Sequence, residues 1–249
     1  MRILITNDDG INAPGLRILT EAAMKPGDNE IWVVAPAEEC SAMSHRITLR
    51  TKIPVKEVSF PLKVAKAYSV GGTPADCVKV ALAYLMKDAK PDVIFSGMNW
   101  GYNSGFDIIY SGTVGAAMEG ILNGIPSFAF SNAAYISNDL AIAKLPEIIE
   151  ELLKKEPDLT GIWNVNIPGC PVEECRGILW DRKPAAVQYY QDNYSTEPAE
   201  EGVLLTVKGI PIENGIPEGT DIEALENDYI SIGRVTNMIK GIFGKGGGQ

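Results

Sequence analysis

Two carboxylates stand side by side where an apolar run ends: Ile3-Leu4-Ile5-Thr6 gives way to Asn7-Asp8-Asp9-Gly10. Adjacent like charges repel, and burial adds a desolvation cost to each. The pair is stable if a cation lies between the two groups or if water reaches both. A plain turn, with Asp8 as a cap, would also account for these residues taken alone. The remaining polar residues decide the matter. APAEECSAMSH follows the second apolar run and carries Ser41, Ser44 and His45, the sole histidine. SGMNWGYNSG follows the third, with Ser96, Asn99, Asn103 and Ser104, and Ser131-Asn132 follows the fourth. In an open parallel sheet, such loops all reach the crevice beyond the carboxyl ends of the strands. Two carboxylates with hydroxyl and amide oxygens form a hard donor set, suited to Mg²⁺ or Mn²⁺ rather than to zinc or copper. The expectation is a divalent-cation site.

A second constellation is Ser111-Gly112-Thr113-Val114-Gly115-Ala116-Ala117. Small and hydroxyl residues open a helix there, and a helix N-terminus holds an anion through its free N–H groups and partial positive charge. An ordinary Ser or Thr cap on a packed helix accounts for the same residues. Their place just after the Asn99–Asn103 loop favours a phosphate. His45 is open between a structural role and a catalytic one, such as orienting water or donating a proton to a leaving oxygen. Gly71-Gly72-Thr73-Pro74-Ala75-Asp76 reads as a helix start, with Thr73 as cap, Pro74 in the first turn and Asp76 closing a capping box.

These residues need elements to position them. Ile3–Thr6, Ile31–Val34, Val93–Phe95 and Phe128–Phe130 read as buried strands, with Trp163–Asn166 a weaker fifth. Leu16, Leu19 and Ala23, then Val78, Leu82 and Leu85, then Leu145, Ile148, Ile149 and Leu152 recur at helical spacing. Strand and helix alternating predict an α/β fold around a mostly parallel sheet. The pattern changes near Gly177, and residues 186–207 read as a protruding hairpin. The organisation expected is one α/β domain over 1–249, with a core of about 1–180 and a C-terminal hairpin extension of about 181–240.

The chain has 249 residues, 45% hydrophobic and 22% charged, with a formal net charge of −10. That balance argues against polymeric nucleic acid or an anionic membrane as partner. No segment approaches the roughly 18 apolar residues of a membrane span. The N-terminal stretch lacks the pattern of a signal peptide, and the four cysteines show no CxxC spacing. A cytoplasmic protein with reduced thiols is expected. A signalling receiver also carries an acidic pair after its first strand, but it needs an Asp closing the third, where this chain has Phe95-Ser96-Gly97. A haloacid-dehalogenase-type phosphatase needs D-x-D, and dinucleotide binding needs G-x-G-x-x-G after the first strand. The readings that stay open are a metal-dependent phosphomonoesterase and a Mg²⁺-binding, nucleotide-sensing or receiver-like module without turnover.

In order along the chain, ITNDDGI, VVAPAEECSAMSHRITL, VGGTPADCVKVAL, FSGMNWGYNSG and SGTVGAAMEG closely resemble the SurE family of survival proteins, 5'/3'-nucleotidases. The likeness extends more weakly to Gly219-Thr220-Asp221 and to Asp228–Ile232. It implies a Rossmann-like three-layer fold and one divalent cation per subunit, Mg²⁺ or Mn²⁺, on Asp8, Asp9, Ser41 and Asn99. It implies that Asn103, Ser111, Gly112 and Thr113 hold the substrate phosphate. The implied reaction is hydrolysis of nucleoside 5'-monophosphates, with 3'-monophosphates and short polyphosphate as further substrates, by a metal-activated water. Asp8, Asp9 and His45 are the catalytic candidates. Family members form homodimers or homotetramers by exchanging C-terminal elements, which would give the hairpin a purpose. The chain departs from the family at Cys40, where Gln or Arg is usual, and at Gly233-Arg234, where Thr-Pro is. It also lacks the C-terminal histidine that some members carry.

Overall fold

The computed structural model describes residues 1–134, 136–187, 190–211 and 215–236. Its frame is a nine-stranded sheet in the order β3-β4-β2-β1-β5-β6-β7-β11-β8. The strands are β1 (Arg2–Thr6), β2 (Glu30–Pro36), β3 (Val55–Glu57), β4 (Lys66–Val70), β5 (Val93–Trp100), β6 (Ser127–Asn132), β7 (Gly161–Ile167), β8 (Ile178–Arg182) and β11 (Ile230–Thr236). From β4 across to β7 every pairing is parallel, while β3 and β11 run antiparallel to β4 and β7. Strands β9 (Tyr190–Pro198) and β10 (Val203–Pro211) pair antiparallel as a separate two-stranded sheet.

The central strands carry apolar runs because both faces are covered. One face buries Leu16, Leu19, Leu145, Ile148 and Ile149 from helices α1 (Pro14–Met24) and α4 (Asp139–Leu153) against Ile3, Ile5, Phe95 and Phe130. On the other, α2 (Pro74–Val80) packs against Leu4, Val34 and Ile94, and α3 (Gly112–Leu122) against Ala129 and Ile162. This is the three-layer α/β arrangement expected. The capping box is also present: Thr73 Oγ1 accepts from the Asp76 N–H at 3.2 Å, and the Thr73 N–H donates to Asp76 Oδ2 at 3.0 Å. The helix pattern of Val78, Leu82 and Leu85 continues past α2 as a π-helical turn over Ala81–Leu85.

The five expected strands are β1, β2, β5, β6 and β7; β3, β4, β8 and β11 add to them. Residues 186–207 contain most of the β9–β10 hairpin, although residues 188–189, and 212–214 and 237–240 of the extension, lie outside the described residues. A final short helix, α5 (Asp221–Glu226), precedes β11. Among the described residues no helix is long and apolar enough to cross a membrane. The decisive topological point is at the centre. The chain leaves β1 toward β2 and β4 on one side, then returns to β5 and proceeds to β6 and β7 on the other. The carboxyl ends of β1 and β5 therefore flank a switch point, where open α/β sheets place their ligand crevice.

Candidate active site

Asp8 and Asp9 follow β1 directly into that crevice. Asp8 is only 4% exposed. Its Oδ1 accepts from the Thr113 hydroxyl at 2.5 Å and its Oδ2 from the Thr113 N–H at 3.1 Å, so it sits on the first turn of α3. The close fit depends on Gly112, where a Cβ would lie 3.0 Å from Asp8 Cβ and 3.1 Å from its Oδ2. Burial pushes the Asp8 carboxyl above its ordinary range, against the pull of both Thr113 donors.

Asp9 has a different setting. Its Oδ2 accepts one N–H, from Trp100 at 3.3 Å. Burial first, and the neighbouring Asp8 second, push it up to about 7. A third acid stands near, because Glu39 Oε1 accepts from the Ser41 hydroxyl at 2.6 Å and its charge raises both aspartates further. Asp9, Glu39, Ser41 and Trp100 line one open cleft with Ala13, Pro14 and Ala134. Among the described residues no Lys or Arg forms an ion pair with Asp8, Asp9 or Glu39.

Asn99 lies near the end of β5 beside Ser131 of β6, and its Nδ2 donates to Gly101 O at 2.7 Å. That bond fixes the amide and leaves Oδ1 as its acceptor face. The oxygen atoms of Asp8, Asp9, Ser41 and Asn99 thus come from the loops after β1 and β2 and from the end of β5. They suit a hard divalent cation, whose charge would relieve the repulsion that raises Asp9. Among the described residues no group of three or more His, Cys, Asp or Glu is arranged to hold a metal ion by itself. A site here therefore rests on mixed carboxylate, hydroxyl and amide oxygens.

Asn103 is 5% exposed and firmly held. Its N–H donates to Asn166 Oδ1 at 2.8 Å, its Nδ2 donates to Ser131 Oγ at 2.8 Å, and its carbonyl accepts from the side chains of Asn164 and Asn166. Ser111 caps α3, accepting from the Val114 N–H at 3.1 Å. Both Thr113 donors, its N–H and its hydroxyl, are directed to Asp8. A phosphate at this helix end would draw on the Gly112 N–H and the Ser111 hydroxyl proton.

His45 lines a second cleft together with Ser111 and reaches α3. Its Nε2 lies 2.8 Å from Glu119 Oε2 on α3. Burial pushes the Glu119 carboxyl up, but His45, Lys79 and Asn123 together hold it below its ordinary value. This geometry makes His45 a tie between its loop and α3.

Sequence reasoning misses Glu39, Asn164 and Asn166. Glu39 is one of two adjacent exposed acids, and nothing in the sequence separates it from Glu38. The two asparagines, spaced i, i+2 in an otherwise apolar strand, do carry a signal, because both project from one face of β7.

A family model described as "Survival protein SurE" matches residues 3–189. A protein of Carboxydothermus hydrogenoformans named "5'-nucleotidase SurE" is 39% identical over 239 residues, covering 93% of this chain and 89% of its own. One of the same name from Clostridium botulinum is 41% identical over 238 residues, covering 93% and 91%. The crystal structure of the SurE protein from Aquifex aeolicus superposes with a TM-score of 0.79 at 31% identity, covering 95% of this chain and 93% of that one.

Proposed function

The chain belongs to the SurE family and is a 5'-nucleotidase, and on that premise we propose that it releases phosphate from nucleoside monophosphates with one Mg²⁺ or Mn²⁺ held by Asp8, Asp9, Ser41 and Asn99. The observation that carries this reading is the carboxylate pair at the switch point. Asp9 is pushed to about 7 by burial and by Asp8, with no cationic side chain paired to either group among the described residues. A bound divalent cation supplies Lewis-acid polarisation of the phosphoryl group.

The remaining work falls to the chain itself. Thr113 keeps the Asp8 carboxylate fixed in direction. Glu39 accepts a hydrogen bond from the Ser41 hydroxyl, which leaves the Ser41 oxygen lone pairs available to a cation. The N-terminus of α3 offers the Gly112 N–H and partial positive charge to the substrate phosphate. Asn103, braced by three neighbours, limits where that phosphate can sit. Nucleoside 3'-monophosphates and short polyphosphate present the same terminal phosphate, and we include them as substrates. The β9–β10 hairpin joins two or four copies of the chain.

The test is phosphate release from a panel of 5'- and 3'-nucleotides with Mg²⁺, with Mn²⁺ and with EDTA. Turnover should require the metal and should be lost in Asp9→Asn. A folded protein that binds Mn²⁺ and releases no phosphate would overturn the proposal in favour of a sensing module.

A further inference from the structure

One buried carboxylate takes no part in the chemistry above. Asp221 opens α5 and is 4% exposed. Its charge is held by main-chain N–H groups from three segments. Oδ2 accepts from Gly105 at 3.0 Å, while Oδ1 accepts from Ala185 at 2.8 Å and from Ile222 at 2.9 Å. Gly105 is two residues beyond Asn103. Ala185 lies at the foot of the β9–β10 hairpin.

The junction is tight on every side. Gly105 has a φ of +54°, and a Cβ there would lie 2.6 Å from the Val187 carbonyl oxygen and 2.8 Å from Ile222 Cδ1. The Phe106 N–H donates to Val187 O at 3.1 Å. On the far side, Asn164, Asn166 and Ser131 brace Asn103. Between these two anchors sits Ser104, 1% exposed, whose hydroxyl has no partner among the described residues. The Asn103–Gly105 loop is thus strung between β7 and Asp221, and its path depends on both ends.

We propose that Asp221 is a positioning residue for the reaction: by holding the Gly105 N–H it sets where Asn103 and Ser104 stand relative to the substrate phosphate. The inference rests on the function proposed above and adds a residue outside the cleft to it. Asp221 touches no substrate and acts only through the loop.

The unequal sharing of its oxygens supplies a selective variant. In Asp221→Asn the side-chain carbonyl can keep the Ala185 and Ile222 donors, while the new NH₂ group faces the Gly105 N–H, donor against donor. Only the loop bond is lost. Mn²⁺ affinity by calorimetry, nucleotide kinetics and competitive inhibition by inorganic phosphate should be compared in the wild type and Asp221→Asn. The expected result is a rise of about tenfold in both KM and the phosphate inhibition constant, with Mn²⁺ affinity unchanged. A variant with a lower melting temperature but wild-type phosphate inhibition would show that Asp221 is merely structural and would overturn the inference. If Asp221→Asn does not fold, hydrogen exchange on the unaltered chain decides. Saturating inorganic phosphate should slow exchange at the Gly105 and Ala185 amides together, and slowing at Gly105 alone would sink the idea. A wild type that releases no phosphate with either metal brings down the proposed function, and the inference with it. An active wild type with an indifferent Asp221→Asn brings down the inference only.

Discussion

Asp8 and Asp9 are neighbours in sequence with unequal surroundings, and the difference sets what each does. Asp8 is sealed and spends both oxygens on Thr113, so it is rigid before any ligand arrives. Asp9 keeps one long N–H bond and is raised to about 7 by burial and by Asp8. In the metal-free protein this has a pH signature whose sign is fixed by linkage. An unfolded Asp titrates near 3.9, so between about pH 4 and 7 the folded chain binds more protons at Asp9 than the unfolded chain does. Asp9 therefore costs no stability in acid, a growing amount as pH rises, and its full amount above about 7. Asp9→Asn should stabilise the EDTA-treated protein by on the order of 2 kcal/mol at pH 8, after discounting for solvent, and by progressively less toward pH 5. Urea denaturation of both proteins across that range measures it. A gain that does not change with pH would mean that Asp9 is solvated and ordinary. The acidic pair is legible in the sequence because a strand end is a costly place for two adjacent acids unless a cation or water meets them. The role of Thr113 is not legible, because a hydroxyl at a helix start looks the same whether it serves a phosphate or a carboxylate.

Helix α3 is the element on which the site turns. Its first turn carries Ser111, Gly112 and Thr113, and its later turns carry Glu119, which holds His45 and hence the loop beyond Ser41. Thr113→Val keeps the shape and the main-chain bond but removes the 2.5 Å hydroxyl bond to a buried carboxylate. We expect a stability loss of about 1.5–3 kcal/mol and a fall of at least about tenfold in kcat/KM, both restored by Thr113→Ser. Thermal denaturation and steady-state kinetics on the two variants check this, and full activity in Thr113→Val would remove α3 as the support of Asp8. The elements themselves are unevenly readable. Strands β1, β2, β5 and β6 are covered on both faces and announce themselves as apolar runs. Strand β3 is three residues at the sheet edge, and β8 mixes Ile178 and Leu179 with Asp181 and Arg182, so neither has a periodicity to read. The Asn103 network is unreadable for another reason: its partners lie on β6 and β7, far along the chain, and only the sheet order brings them together.

At the scale of the whole molecule, the β9–β10 hairpin is what the rest of the fold leaves unexplained. Its nine paired positions join Tyr190–Pro198 to Val203–Pro211, apart from the main sheet. A two-stranded hairpin is marginal in water by itself. Here Val203, Leu205 and Val207 are 61%, 58% and 60% exposed on one face, with Leu204 at 59% on the other. Apolar side chains held out on both faces of a marginal element call for cover, and a second copy of the chain is the partner proposed. The Leu205→Lys, Val207→Lys double variant places two cations on one face without touching the crevice. Sedimentation equilibrium should then show the mass of the single chain, whereas the wild type should show two or four. The charge of −10 on each copy adds a second expectation. Because like-charged subunits repel and salt screens that repulsion, wild-type association should strengthen from low to moderate ionic strength. A double variant with unchanged mass would place the interface between copies elsewhere and leave the hairpin's exposed residues for a different partner.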